Sequence, residues 1–175
     1  MWEAVQFGAQ WAGALTAVAL LGVRMFNVHA SGGDAMMRAA AQAIADVHPR
    51  PLLIAVAVLA SLDDAALASV GQRGPSAAQV ERLAALARAS GLDGVVCSAH
   101  EIAPVRKACG PDFLTVVPGI RPAGSDLGDQ RPVMTPQEAL AAGADVLVIG
   151  QPITAAPDPA KAAQSIAQEL AKTRP

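Results

Sequence analysis

The chain has 175 residues, of which 53% are hydrophobic and 16% charged, the make-up of one well-packed domain able to bury a sizeable core. A net charge of −2, no basic run and 3% aromatic residues exclude a nucleic-acid surface, which needs clustered Lys/Arg and stacking aromatics. Cys97 and Cys109 have no metal-ligand spacing and read as buried free thiols of a reducing cytoplasm.

Phe7 to Val23 contains no charged residue. The run is short for a membrane span, carries Gln10 and three glycines, and follows MWEAVQ, which lacks the positive charge of a signal peptide. It predicts a buried helix over about 8–22, with no membrane or export segment. Strand and helix signals then alternate. Residues 25–29 read as a strand and 34–47 as a helix with apolar residues at helical spacing. The continuous apolar run 52–59 fits a parallel strand buried on both faces. Asp63-Asp64 marks the start of a short helix near 63–69, and a longer helix follows from 76 to 89, stopped by Gly91. Residues 94–97 form the next strand. Ser98-Ala99-His100-Glu101 has capping-box spacing, with Pro104 expected to bend or shorten the helix behind it.

The run 113–117 is a strand that leads into Pro118-Gly119-Ile120-Arg121-Pro122 and a small polar loop reaching Gln130. Glycines that let backbone N–H groups approach an oxyanion, beside an arginine with forked donors, suit anion capture. An ordinary strand-to-helix loop with a solvated arginine fits the same residues, and Asp126 and Asp129 read as solvated. Thr135-Pro136-Gln137-Glu138 repeats the capping box with proline in the first turn. A last strand, 145–149, ends in Gly150-Gln151-Pro152, and Asp158-Pro159 opens a final helix to about Lys172. Two successive strands that end in glycine-bearing turns are how a βα barrel builds a phosphate site. His29 lies at a strand end near the ligand-binding rim and reads as satisfied by neighbouring backbone. His48 and His100 read as loop and helix-start residues without metal spacing.

Four segments carry a resemblance: FNVHASGG (26–33), LDGVVCSAHE (92–101), PGIRPAGSDLGDQ (118–130) and ADVLVIGQPIT (144–154). Together they resemble bacterial-type orotidine 5′-phosphate decarboxylase, with spacings undisturbed from about Leu20 to about Leu170. The resemblance implies an α/β fold of the (β/α) TIM-barrel type, here a single partial domain over 1–175 with five parallel strands and outer helices. A full barrel uses about 250 residues, so the 175 residues fall short by almost three β/α units. The resemblance also implies a nucleotide ligand, orotidine 5′-monophosphate or uridine 5′-monophosphate, with no metal and no organic cofactor.

Site residues follow position by position. Arg121 and Gln130 stand where the family contacts the phosphate and the pyrimidine edge, and Gly119 and Gly150 supply loop backbone. Gln151 replaces an arginine that clamps the phosphate. A hydrogen bond to a charged group is worth roughly 1.5–3 kcal/mol, so this loss alone weakens binding by about one to two orders of magnitude. Ala60 stands where relatives place a threonine, with Ser61 beside it.

The family's reaction needs a lysine to protonate the carbanion left by departing carbon dioxide, within an Asp-x-Lys-x-x-Asp run of alternating charge. Ungapped counting puts that run on Met1, Glu3 and Gln6, none of which matches, and the first lysine of the chain is Lys107. No catalytic residue is therefore assigned. Two readings stand: a decarboxylase of pyrimidine synthesis whose remaining strands come from another polypeptide or from sequence before Met1, or a non-catalytic remnant with a weakened phosphate site. Open barrel edges favour pairing with another chain, and the resemblance implies a homodimer, so self-association is expected.

Overall fold

The computed structural model describes residues 15–59, 61–72, 74–122 and 134–173. Five strands, β1 (Met25–His29), β2 (Leu52–Val56), β3 (Gly94–Val96), β4 (Leu114–Val117) and β5 (Val146–Leu147), form one sheet in the order β1-β2-β3-β4-β5. Every pairing is parallel, with Met25 against Leu52, Ile54 against Gly94, Gly94 against Leu114 and Val116 against Val146. Sequential order without reversal is the winding of a barrel wall rather than of a doubly wound sheet.

The helices follow from local sequence. Residues 15–20 are helical (α1), as expected of the uncharged N-terminal run; the earlier part of that expected helix lies outside the described residues. Thr16 ties α1 to the end of α2 (Gly33–Ala43) by donating its hydroxyl to the Ala43 carbonyl at 3.1 Å. Asp63 caps α3 (Asp64–Ser69), accepting from the Ala66 N–H at 2.8 Å. Helix α4 spans Ser76–Ala89 as its pattern predicts.

The Ser98 capping box is present, but it opens a 3-10 turn, Ala99–Glu101, and α5 (Ile102–Cys109) follows directly. Pro104 thus falls in the first turn of α5, where its missing N–H had no intrahelical acceptor to lose. The Thr135 box and Pro136 open α6 (Pro136–Ala141). Gly150-Gln151-Pro152 begins a short helical turn, α7 (Gln151–Thr154), before α8 (Pro159–Thr173).

Strand side chains alternate between two faces. Leu53, Ala55, Val95 and Val117 join Met37, Ala40, Val80, Ala84, Ala87, Ile102 and Val105 in one buried cluster, which places helices on that face. Ile54, Val56 and Val116 are buried outside that cluster, on the opposite face. Gly94 is needed where β3 meets β4, because a Cβ there would stand 2.4 Å from the Leu114 carbonyl oxygen.

The strands are shorter than the apolar runs that predict them. The run 52–59 leaves the sheet after Val56, since its partners β1 and β3 end opposite that residue, at His29 and Val96. The run 145–149 keeps only Val146 and Leu147 in the sheet. Cys97 and Cys109 are free, buried thiols, and burial pushes the Cys97 thiol up to about 12. Among the described residues no helix is long and apolar enough to cross a membrane.

Candidate functional site

The C-terminal ends of β4 and β5 face one another across a small cleft. Beyond Val117, the chain turns through Pro118 and Gly119, whose φ of 74° lies in the left-handed region that glycine adopts without penalty. That turn places Ile120 beside Met134 in an isolated parallel bridge, and the Arg121 N–H donates to the Met134 carbonyl at 3.0 Å. The backbone around Arg121 is therefore pinned on both sides.

Its side chain is 6% exposed. Sequence alone left open a solvated arginine; the structure buries it instead. Nη2 of Arg121 donates to Oε1 of Gln151 at 3.0 Å. This bond joins the turn after β4 to the turn after β5, residues 30 positions apart. The second turn is fixed by the Val148 N–H donating to the Val117 carbonyl at 2.8 Å, and by the Ile153 and Thr154 N–H groups closing onto the Gly150 carbonyl.

Gly119, Ile120, Arg121, Val148, Gly150, Gln151 and Pro152 line the resulting cleft of about 240 Å³. A Cβ on Gly150 would meet nothing within 4 Å, so the backbone is approachable there. The cleft offers a permanently charged fork, an amide side chain and open backbone, the donor set that binds an oxyanion.

Of the expected site residues, Gly119, Arg121, Gly150 and Gln151 come together in this cleft. Ser61 is exposed in the turn after β2 and is not among the lining residues. Ala60 and Gln130 lie outside the described residues, as do Met1, Glu3 and Gln6, the positions aligned with the family's charged run. Ile120, Val148 and Pro152 also line the cleft, though sequence reading singled out none of them as site residues. His29 ends β1 in an exposed position. Among the described residues no three His, Cys, Asp or Glu side chains gather to hold a metal.

A second constellation, at the opposite end of the strands, escaped the sequence reading. Asp145 Oδ2 accepts from the Thr115 N–H at 2.7 Å, the Thr115 hydroxyl at 2.9 Å and Arg106 Nη2 at 2.6 Å. Arg106 Nη1 also donates to the Pro111 and Phe113 carbonyls, each at 2.6 Å. Burial works to raise the Asp145 pKa, but the Thr115 donors and the Arg106 guanidinium outweigh it and hold the carboxyl below its ordinary value.

Asp93 repeats the device before β3. It accepts from the Leu53 N–H at 2.8 Å and pairs with Arg50 at 3.0 Å. The shared signal is a helix-stopping glycine, one residue, then aspartate and an apolar strand: Gly91-Leu92-Asp93-Gly94-Val95 and Gly143-Ala144-Asp145-Val146-Leu147. The β/α rhythm thus carries an internal repeat that periodicity alone did not reveal.

A parallel βα wall in chain order, with helices on one face and a cleft across its last two strand ends, defines a protein of the βα-barrel class. Residues 8–166 match the orotidine 5′-phosphate decarboxylase / HUMPS family. The chain belongs to that family. It is 58% identical to orotidine 5′-phosphate decarboxylase of Moorella thermoacetica, over 91% of this chain and 66% of the relative. It is 56% identical to the enzyme of that name from Halorhodospira halophila, over 91% and 68%. A crystal structure of orotidine 5′-phosphate decarboxylase from Lactobacillus acidophilus superposes with a TM-score of 0.79 at 37% identity, covering 92% of this chain and 69% of that one. The chain thus spans about two thirds of the length of these relatives.

Proposed function

We propose that this chain forms the phosphate-holding part of an orotidine 5′-monophosphate decarboxylase, and that the 175 residues alone bind nucleotide without turning it over. The observation that carries the first half is the cleft in which Arg121 and Gln151 meet across the ends of β4 and β5. In this reading the Arg121 fork and the Gly119 and Gly150 backbone take the 5′-phosphate, and Gln130 reaches the pyrimidine edge. Ala60 and Ser61, which follow β2 in the chain, are assigned to the ligand outside this cleft.

The second half rests on Met1, Glu3 and Gln6, which supply neither the lysine nor its flanking aspartates. Catalysis of this kind needs charge preorganised where the transition state develops it, and an acid within reach of one carbon. Such groups act as a unit, so Glu3→Lys alone restores nothing. The chain works as one partial-barrel domain, in the cytoplasm, with no metal or organic cofactor, and pairs with another copy along β1 and β5, the outer strands of the described sheet.

Following the absorbance of orotidine 5′-monophosphate with purified chain tests the proposal. No decarboxylation is expected from the chain alone, and recovery is expected when a relative's N-terminal third is fused or co-expressed. Turnover by the chain alone, free of host enzyme, overturns the second half. Recovery that fails with a folded, nucleotide-binding fusion removes the decarboxylase reading and leaves a non-catalytic nucleotide-binding module.

A further inference from the structure

The two outer strands of the described sheet carry unlike surfaces. The five strands run parallel in chain order, so β1 and β5 are the end members among the described residues and point the same way. The helix layer follows the strands. Thr16 ties α1 to the end of α2, α2 packs on α4, and α6 packs on α8. The flank of the layer beside β1 therefore belongs to α1, and the flank beside β5 to α8.

Along β5 a groove of about 480 Å³ opens between the strand and α8. Leu147 and Ile149 line one side, and Ala167, Leu170 and Ala171 of α8 line the other, with Asp145 where the strand begins. The Asp145 side chain is 32% exposed. The β1 side carries the complement. Leu20 and Leu21, between α1 and β1, are 74% and 80% exposed, and Arg24 is exposed beside them. Arg24 precedes β1 by one residue, as Asp145 precedes β5. A parallel β1 set against β5 with Met25 opposite Val146 therefore brings Arg24 opposite Asp145. It also turns Phe26 and Val28, which face the helix layer, towards α8.

Backbone groups along an outer strand are a template for a further strand, and a parallel addition continues the ladder that already runs through the sheet. Like edges fit less well. Setting β5 against β5 brings carboxylate towards carboxylate, and β1 against β1 brings guanidinium towards guanidinium. We propose that a second copy of this chain docks head to tail, with its β1 along β5, its Leu20 and Leu21 at the α8 groove and its Arg24 on Asp145. The proposal rests on the reading that the chain pairs with another copy, and it names the surfaces that meet. Two copies related by a twofold axis satisfy both outer strands of each.

Oxidative cross-linking of the full 175-residue chain tests it. One population carries Met25→Cys and a second, marked by a size tag, carries Val146→Cys. Paired strands hold opposed Cα atoms about 5 Å apart, within the span of a disulfide. Cys97 and Cys109 are buried, and the unsubstituted chain sets the background. The mixture should cross-link, and neither population alone should do so. Self-cross-linking of either population, with none gained on mixing, means that like edges meet. That result overturns head-to-tail docking and keeps the pairing. A monomer by sedimentation at micromolar concentration overturns both, and neither result bears on the phosphate cleft. If a cysteine variant does not fold, Arg24→Glu decides. It should raise the dimer dissociation constant by about tenfold, and an unchanged constant overturns the docking.

Discussion

The two ends of the sheet are built on different terms. At the N-terminal ends of β3 and β5, Asp93 and Asp145 each clamp a backbone N–H of the preceding strand and an arginine from elsewhere in the chain. The donors they satisfy belong to Leu53 and Thr115, both wholly buried. At the C-terminal ends of β4 and β5, a bond from Arg121 to the exposed Gln151 joins the two turns. At the first end both carboxylates accept from backbone and arginine donors. The second keeps a buried guanidinium beside open backbone, with a partner that a ligand oxygen can share or displace. With the proposed phosphate site at the second end, stability and recognition are separated along the same strands, the division expected of a βα barrel.

That separation predicts where substitutions act. The largest stability loss should come from Asp145→Ala, which strands the Thr115 N–H, leaves its hydroxyl a 3.4 Å bond to the Gly143 carbonyl and removes a partner of Arg106. Unmet buried donors cost about 1–3 kcal/mol each, so a loss of about 3 kcal/mol is expected as a lower urea midpoint. Nucleotide affinity of the folded fraction should not change. A loss of affinity without a loss of stability would erase the division between the two ends.

Asp93→Ala should do less, about 1–2 kcal/mol, because one backbone donor is stranded and Arg50 is left at the surface. Equal losses at both sites in urea titrations would show that the repeated device contributes through its backbone bond alone.

The smallest effect is one of pH. Asp145 has a folded pKa below its unfolded value, which is about 3.9. Its charged form therefore stabilises the fold above that value, and the contribution is lost as pH falls through the folded pKa. The stability gap between the native chain and Asp145→Asn should be constant near neutrality and narrow below about pH 4. A gap that widens on acidification would contradict the network's sign.

The elements were legible in the sequence because their signals are local. Helix α4 runs from Ser76 to Ala89, as apolar spacing and the Gly91 stop indicate, and both capping boxes form where Ser98 and Thr135 place them. Strand ends were less legible, since hydrophobicity does not record where a neighbouring strand stops. Ala57 is as apolar as Val56 but lies past the last residue of both partners.

Half of the cleft was legible too, because glycine turns and Arg121 sit in one short stretch. Its closure was not. Whether Arg121 is solvated or buried depends on Gln151, 30 residues on, and on a bridge to Met134 that no local pattern encodes. Asp145 read as the first residue of a strand for the same reason, with its partner Arg106 lying 39 positions earlier. The repeat of glycine, one residue, aspartate and apolar strand was the signal that could have exposed it.

On the proposed reading a nucleotide phosphate binds in the Arg121 cleft. Calorimetric titration of uridine 5′-monophosphate into the native chain and into Arg121→Ala tests it most directly. Loss of a charged hydrogen-bond donor predicts affinity weaker by about one to two orders of magnitude, with the fold intact by circular dichroism. Equal affinity of the two folded proteins would place the nucleotide elsewhere.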